Sequence, residues 1–510
     1  MLLHHQFIEV AKKYPQKTAV FEQMSGKEVT FDKLLIASLL MSEKIKKYQG
    51  KFIGIMLPPS AGCTIAILAV LFAGKTPVMI NYSTGAHNNC LYAQRKCNFR
   101  TILTSEKLLE KLQEEPVKGM VYLEEVMKKI NVLEKVKAAM VSKLPASVLK
   151  SIVAGGEEND DLVILFTSGS EKDPKAVMLS HKNILSNING ILSILNVSHN
   201  DIFMANLPYF HVFGLTINLW IPLYLGCKTV AHANPLDYKA IVDSIRNHKV
   251  SIIVATPTFY YWYLKRSAPG DFNSVRYAIS GADKLHPQIQ EEYLKMHNLN
   301  VFEGYGTTET SPVISTNTPD FHRDGSIGHP IPGMRVKIIN LQTDEECKPG
   351  EEGKILVKGH SVMKGYYNDL EETSLHIRNG WYDTGDVGLL DEDGFLYHRG
   401  RLKRFVKIAG EMISLNKVES VLDMVLPDGT ICCVVEIPDP IKGAEIVAAV
   451  TTKEIDQKKI KKLMAKHLPS LAIPKRFHVL ENIPMAPTGK VNFRAVEDIC
   501  RKLEEEKNEN

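Results

Sequence analysis

Leu165-Phe-Thr-Ser-Gly-Ser-Glu-Lys-Asp-Pro-Lys-Ala-Val177 is the stretch on which the reading of this chain turns. An apolar β-type run, Leu162 to Phe166, stops at a turn rich in hydroxyls and glycine that carries Lys172 and Lys175. Small residues let backbone N–H groups approach an anion closely, while hydroxyls and ammonium groups add donors and positive charge. That chemistry suits a polyphosphate. The Gly-x4-Gly-Lys-Ser/Thr spacing of the Walker loop is missing. Read alone, the stretch is equally a polar surface loop that follows a strand.

Four more motifs come after it in chain order. They are Gly304-Tyr-Gly-Thr-Thr-Glu309, Trp381-Tyr-Asp-Thr-Gly-Asp386, Gly400-Arg-Leu-Lys-Arg-Phe-Val-Lys-Ile-Ala-Gly410 and Pro487-Thr-Gly-Lys490. The set resembles the acyl-adenylate-forming superfamily, which includes acyl-CoA synthetases, luciferases and nonribosomal adenylation domains. The resemblance spans nearly the whole chain.

With 510 residues the chain is too long for one core, so two or more domains are expected. Its 44% hydrophobic and 24% charged content is that of an ordinary globular protein, and a net charge of +4 gives no case for a nucleic-acid partner. Met1-Leu-Leu-His-His-Gln lacks the basic segment and apolar core of a secretory signal, and the apolar run Thr64 to Ala73 is too short to span a bilayer. Eight scattered cysteines show no Cys-x-x-Cys and no zinc-like His spacing. The adjacent Cys432 and Cys433 read as core thiols, and a reducing cytoplasm is the expected compartment.

Residues 1–180 read as alternating helix and strand. Phe31 to Tyr48 has helical periodicity, Phe52 to Leu57 and Thr76 to Ile80 read as buried strands, and Cys63 to Ala73 is an apolar helix. Residues 181–327 repeat the pattern, with strands at Ser251 to Ala255 and Val275 to Ser280. Such alternation predicts an α/β fold with two parallel-rich, helix-covered sheets. Short strands and Gly/Pro turns over about 328–400 predict a small distorted β-barrel. The expected large N-terminal domain therefore covers 1–400, and a small mobile α+β domain covers 401–510, with a hinge near Lys403.

The resemblance implies a reaction and its residues. ATP and Mg²⁺ are the implied cofactors, because a carboxylate oxygen is a poor leaving group until it is exchanged for AMP. The barrier is mostly charge, so cations placed where charge develops supply the catalysis. Thr167, Ser168, Gly169, Ser170, Lys172 and Lys175 are implied to hold the β- and γ-phosphates. Glu309 would bind Mg²⁺ and Thr308 the α-phosphate. Tyr305 would stack on adenine, Gly281-Ala282-Asp283 would run along the purine edge, and Gly306 and Thr307 would join the nucleotide site. Asp386 would accept hydrogen bonds from the ribose hydroxyls, assisted by Arg401. Lys490 would swing in to the reacting carboxylate and the α-phosphate. Lys403 matches the hinge position, while Lys407 and Gly410 match the face presented to an incoming pantetheine arm. The loop departs from the family pattern: Glu171-Lys172 replaces Thr-Gly, and Ala176 replaces Gly. Lys172 would neutralise Glu171.

The acyl group and its acceptor are read from three further regions. Leu207 to Leu225 and the aromatic cluster Thr258 to Tyr263 are explained by core packing, or by an acyl tunnel with His211 near the carboxylate and Phe210, Phe213 and Gly214 along the chain. No Asp or Arg stands ready for an amino acid's charges. Met79-Ile-Asn-Tyr-Ser-Thr-Gly85, Gly281-Ala-Asp-Lys-Leu285 and Lys403 to Leu415 resemble the synthetase half of the bifunctional 2-acylglycerophosphoethanolamine acyltransferase/acyl-[acyl-carrier-protein] synthetase. That resemblance implies a medium- to long-chain fatty acid and acyl carrier protein as acceptor, with CoA as the alternative and a non-catalytic acyl-AMP or ATP sensor as the second. Arg401, Lys403, Arg404 and Lys407, joined by Lys475-Arg476, would form a docking surface for an acidic carrier, or an ordinary solvated basic face. Met127 to Leu144 reads as a lysine-bearing amphipathic helix, either a cover for the core or a peripheral contact with the inner face of a membrane.

Overall fold

The structure is a computed structural model that describes all residues except 168–173, 409–410, 428, 440–442, 453–454, 486–490 and 509–510. The side chains at 403, 407, 411, 412, 443 and 505–508 are also outside the description. The chain divides into two compact units, Met1–Arg335 with Val357–Tyr382, and Val336–Leu356 with Asp383–Asn510.

The first unit holds two large sheets. One has seven strands in the spatial order Gly365–Tyr366, Ala176–Ser180, Asp161–Phe166, Thr76–Met79, Phe52–Ile55, Ile102–Thr104, Met120–Tyr122. From Asp161–Phe166 onward the neighbours are parallel. Phe52–Ile55 and Thr76–Met79 are buried along their whole length, which is why they read as unbroken apolar runs. Helix Ala61–Phe72 is apolar all round because it is buried all round.

The other sheet has nine strands, in the order His329–Pro330, Val313–Thr316, Val301–Gly306, Tyr277–Ser280, Ile252–Ala255, Ile202–Ala205, Lys228–Ala231, Thr18–Glu22, Lys27–Thr30. The six from Val301–Gly306 to Thr18–Glu22 run parallel.

Two features depart from the sequence reading. Thr18–Glu22 joins the nine-stranded sheet, with Val20 opposite Thr229, so residues 1–180 do not make one sheet alone. Residues 176–180, not read as a strand, form one: Ala176–Ser180 returns antiparallel to Asp161–Phe166, with Phe166 opposite Ala176. Only then does Ser180 cap helix His181–Leu192, its Oγ accepting from Asn183 N at 3.1 Å while Asn183 Oδ1 accepts from Ser180 N at 2.8 Å.

The stretch 328–400, expected as a barrel, contributes the strands Met334–Ile339, Gly353–Gly359, Ile377–Arg378, Trp381–Leu390 and Leu396–Arg401 to one five-stranded sheet. In the second unit a three-stranded sheet, Cys432–Asp439, Gly443–Val450 and Arg476–Val479, separates two small cores. Val434, Ile446 and Ala448 pack with Val418, Leu422, Ile460 and Met464 on one side. Cys433, Val435 and Val447 pack with Val496 and Cys500 on the other, as the two-residue period of a strand requires. Cys432 and Cys433 are core thiols as read, and burial pushes both upward in pKa. The chain is an α/β protein with a large N-terminal body and a small C-terminal domain.

Candidate active site

Tyr277–Ser280 and Val301–Gly306 are parallel neighbours, with Ser280 opposite Glu303. Their carboxyl ends release Gly281-Ala282-Asp283 and Tyr305 to Glu309 side by side, where open α/β sheets form their ligand crevices. Two glycines here are set by close approach. A Cβ on Gly281 would stand 3.1 Å from the Phe213 ring, and one on Gly306 would stand 1.9 Å from the Pro312 carbonyl oxygen. Ala282 takes φ +74°, a left-handed conformation that turns the chain at this edge.

Thr307 N donates to Thr310 Oγ1 at 3.1 Å, closing the short helical turn Thr308–Thr310 that carries Glu309. Thr308 is half-buried and Glu309 is buried. Glu309 is gripped twice: its backbone oxygen accepts from Met363 N at 2.7 Å, and its Oε1 accepts from the Tyr366 hydroxyl at 2.9 Å. Strand Gly365–Tyr366 delivers that tyrosine by pairing with Ala176–Ser180, Tyr366 opposite Val177. Burial and the Glu309 charge push the Tyr366 phenol well above its ordinary pKa, so it remains a donor.

Thr167 N donates to Lys175 O at 3.0 Å and Lys175 N to Thr167 Oγ1 at 3.1 Å, which clamps the two ends of the phosphate-loop candidate. Lys175 Nζ pairs with Glu372, lies 3.4 Å from His376 Nε2, and sits 5.3 Å from the centre of the Tyr366 ring. Tyr366 thus touches both Glu309 and Lys175. Ser168, Gly169, Ser170 and Lys172 lie outside the described residues, as do Gly410 and Lys490.

Phe210 is buried edge-on to Tyr82 and tilted against His211, with ring centres at 4.9 and 4.6 Å. The run that follows forms a wide π-helix, Gly214–Trp220, a geometry frequent at functional sites. Thr216 Oγ1 donates to Ser311 O at 2.9 Å, tying this helix to the turn after Glu309. Packing governs most of the stretch. A Cβ on Gly214 would fall 2.4 Å from Pro208 O, so the glycine answers to backbone contact rather than to open space. His211 and Phe213 are the half-buried members beside Gly214.

In the second unit Asp386 and Arg401 are cross-strand partners, joined Oδ1 to Nε at 3.0 Å, with His398 Nε2 at 3.6 Å. Asp386 N donates to Thr384 Oγ1 at 3.1 Å, and Thr384 Oγ1 donates to Ile355 O at 2.9 Å. The carboxylate is 1% exposed while the Arg401 side chain is 59% exposed, so the pair meets solvent through the arginine.

Of the residues expected to form a basic docking surface, Arg404 is spent internally, while Lys475 and Arg476 are ion-paired but partly exposed. Arg404 is buried, donating to Val434 O at 2.6 Å, Asn416 Oδ1 at 3.0 Å and Glu419 Oε2 at 3.0 Å, and it stacks on Phe493 at 3.9 Å. Lys475 pairs with Glu445 and Asp439, and Arg476 with Glu445 and Glu504. The backbones of Lys403 and Lys407 lie in the turn Leu402–Arg404 and the strand Phe405–Ile408.

The AMP-binding enzyme family matches residues 7–367, and the AMP-binding enzyme C-terminal domain matches 417–490. The chain belongs to the AMP-binding enzyme family. It is 29% identical to a long-chain-fatty-acid–CoA ligase of Bacillus subtilis over 98% of its own length and 93% of that protein's. It is also 29% identical to an oxalate–CoA ligase of Arabidopsis thaliana, covering 96% of each. The o-succinylbenzoate CoA synthetase of Bacillus subtilis, solved with its acyl-adenylate intermediate, is 25% identical with a TM-score of 0.84, over 97% of this chain and 98% of that one. The same synthetase solved with ATP and magnesium gives 25% and 0.82, over 96% and 98%.

Reading the sequence of this AMP-binding enzyme missed Tyr366, Glu372 and His376. Tyr366 stands 57 residues from the Glu309 it holds, and Glu372 is 197 from Lys175. No local spacing signals either contact. The one available hint is the short capped helix Leu370–His376, which places Glu372 and His376 one turn apart.

Proposed function

We propose that the chain activates a medium- to long-chain fatty acid with ATP and then transfers the acyl group to the thiol of CoA. A carboxylate oxygen attacks the α-phosphorus, the bond to the β-phosphate breaks, and pyrophosphate leaves. The thiol sulfur, losing its proton, then attacks the acyl carbon of acyl-AMP and AMP departs. The observation that carries this reading is Glu309, buried and oriented by Tyr366, which also packs against Lys175. An acid held that way beside an ammonium is suited to polyphosphate and its cation.

In this account Thr167 and Lys175, with Ser168, Gly169, Ser170 and Lys172, hold the β- and γ-phosphates, and Thr308 holds the α-phosphate. Tyr305 and Gly281 to Asp283 take adenine, Gly306 and Thr307 join the nucleotide site, and Asp386 and Arg401 take the ribose hydroxyls. Lys490 meets the reacting carboxylate, His211 lies near it, and Phe210 and Phe213 meet the acyl chain. Glu309 spends one oxygen on Tyr366, and a carboxylate is the hard oxygen ligand Mg²⁺ prefers. Mg²⁺ held there would supply positive charge to the phosphates. Lys403 is the proposed hinge between the half-reactions, with Lys407 and Gly410 facing pantetheine.

CoA is favoured as acceptor because the relatives named above are CoA ligases and synthetases. Acyl carrier protein is the second reading. It rests on the stretches at Met79, Gly281 and Lys403, and its docking surface lacks the buried Arg404. Thioester formation with CoA and with holo carrier protein, measured side by side on the same fatty acids, separates the two. A strong preference for the carrier protein overturns the CoA assignment, and no pyrophosphate release with any acid leaves the sensor reading.

A further inference from the structure

Helix Val132–Ser142 turns its apolar residues the wrong way for a core helix. Val132, Leu133, Val136 and Met140 are 75, 77, 43 and 68% exposed, and their spacing places them on one side of the helix. The opposite side is the buried one: Ala138 packs with Leu40 and Ile130 against Ile36, and Ser142 is buried. The helix is held firmly in this orientation. Asn131 and Glu134 form a reciprocal cap, with Asn131 Oδ1 accepting at 2.8 Å and Glu134 Oε2 at 3.1 Å. Glu134 also pairs with Lys44 at 2.5 Å, and Lys143 reaches Asp32 at 3.3 Å. The outward apolar face is therefore preformed. A second short helix, Ala146–Ile152, continues the theme with Val148 and Ile152 exposed.

Lysines predominate around this face. Lys128, Lys129, Lys135 and Lys137 are exposed, and the sole acid from Met127 to Leu144, Glu134, is already engaged by Lys44. Exposed apolar residues ringed by lysines match the boundary of an anionic bilayer, with side chains entering the acyl region and ammonium groups meeting phosphate headgroups. We propose that Val132, Leu133, Val136 and Met140, with the flanking lysines, dock the protein on an anionic lipid surface. The docking stands independently of the reaction. Its use rests on the fatty-acid reading above, since a bilayer is where a long-chain acid partitions.

Flotation of the full chain with phosphatidylglycerol-rich and with pure phosphatidylcholine vesicles tests this. Wild type is expected to float with the anionic vesicles, to lose binding as salt rises, and to bind the neutral ones weakly. Leu133→Asp/Met140→Asp and, separately, Lys135→Glu/Lys137→Glu should each weaken anionic binding by about tenfold or more. Both variants change exposed side chains, so circular dichroism and vesicle-free pyrophosphate release with a soluble medium-chain acid should match wild type. Absence of wild-type binding to anionic vesicles overturns the proposal, as does undiminished binding by both variants. Light scattering that shows a dimer dissolved by Leu133→Asp/Met140→Asp, without vesicle binding, assigns the face to a second copy instead and also overturns it.

Discussion

Glu309 shows how one side chain becomes usable. A buried carboxylate is costly unless hydrogen-bonded, and here the Tyr366 hydroxyl supplies the bond. Glu309→Gln keeps the shape and removes the charge, so acyl-AMP formation should fall by roughly 100-fold or more while the far-UV spectrum is unchanged. Tyr366→Phe removes one charge-assisted bond and should lower kcat/KM about tenfold, as expected of roughly 1.5 kcal/mol. Lys490→Ala should abolish adenylation yet spare thioester formation from preformed acyl-AMP, which supplying the intermediate checks directly. Glu309, Asp386 and Lys490 were legible as candidates because each sits in a short contiguous motif. Tyr366 and Glu372 were not, because a contact made across a sheet leaves no local spacing to read.

Among the elements, the N-terminal helix Leu3–Lys13 shows how packing can set a pH limit. Leu3 N donates to His181 Nδ1 at 3.1 Å, a bond that needs that nitrogen unprotonated. His4 Nε2 meets Ala154 O at 2.9 Å, and the His4 and His181 rings lie 5.2 Å apart. Burial lowers His4 to about 4 and His181 to about 2. Both are neutral in the fold, whereas the unfolded chain takes up their protons near pH 6.5. Stability is therefore full above about pH 7 and declines as pH falls through that range toward 4. His4 alone should cost roughly 2 kcal/mol by pH 5, and denaturation curves at pH 7.5 and 5 should show a smaller difference for His4→Gln. Gly214→Ala should destabilise by about 1–3 kcal/mol, because its Cβ meets backbone at Pro208 that cannot step aside.

The elements also show where reading sequence succeeds and stops. Strands such as Phe52–Ile55 and the helix Phe31–Ile45 were legible because full burial or a single buried face leaves a pattern. The returning strand Ala176–Ser180 was not, since its five residues are too few to carry a period against the helix start at His181. The long helix read over Met127 to Leu144 is two, Leu123–Lys128 and Val132–Ser142, separated where Asn131 caps the second.

At the scale of the whole molecule, the α/β class follows from the alternation of apolar runs with helical periods. Which strands share a sheet does not, because pairings such as Val20 with Thr229 join segments about two hundred residues apart, and neither segment encodes the other. The grouping of Val336–Leu356 with Asp383–Asn510 was hidden for the same reason. Within that second unit Arg404 is a structural post, and Arg404→Ala leaves Glu419 without its guanidinium and uncovers Phe493. The substitution should cost about 3 kcal/mol and raise hydrogen exchange in strand Cys432–Asp439 before it affects the sheets of the first unit.

Exchange of labelled pyrophosphate into ATP is the most direct test of acyl-adenylate chemistry. Wild-type protein should catalyse it only when a fatty acid is present, and Glu309→Gln should reduce it by about 100-fold or more. Exchange that needs no acid, or that persists at the wild-type rate in Glu309→Gln, would contradict the account.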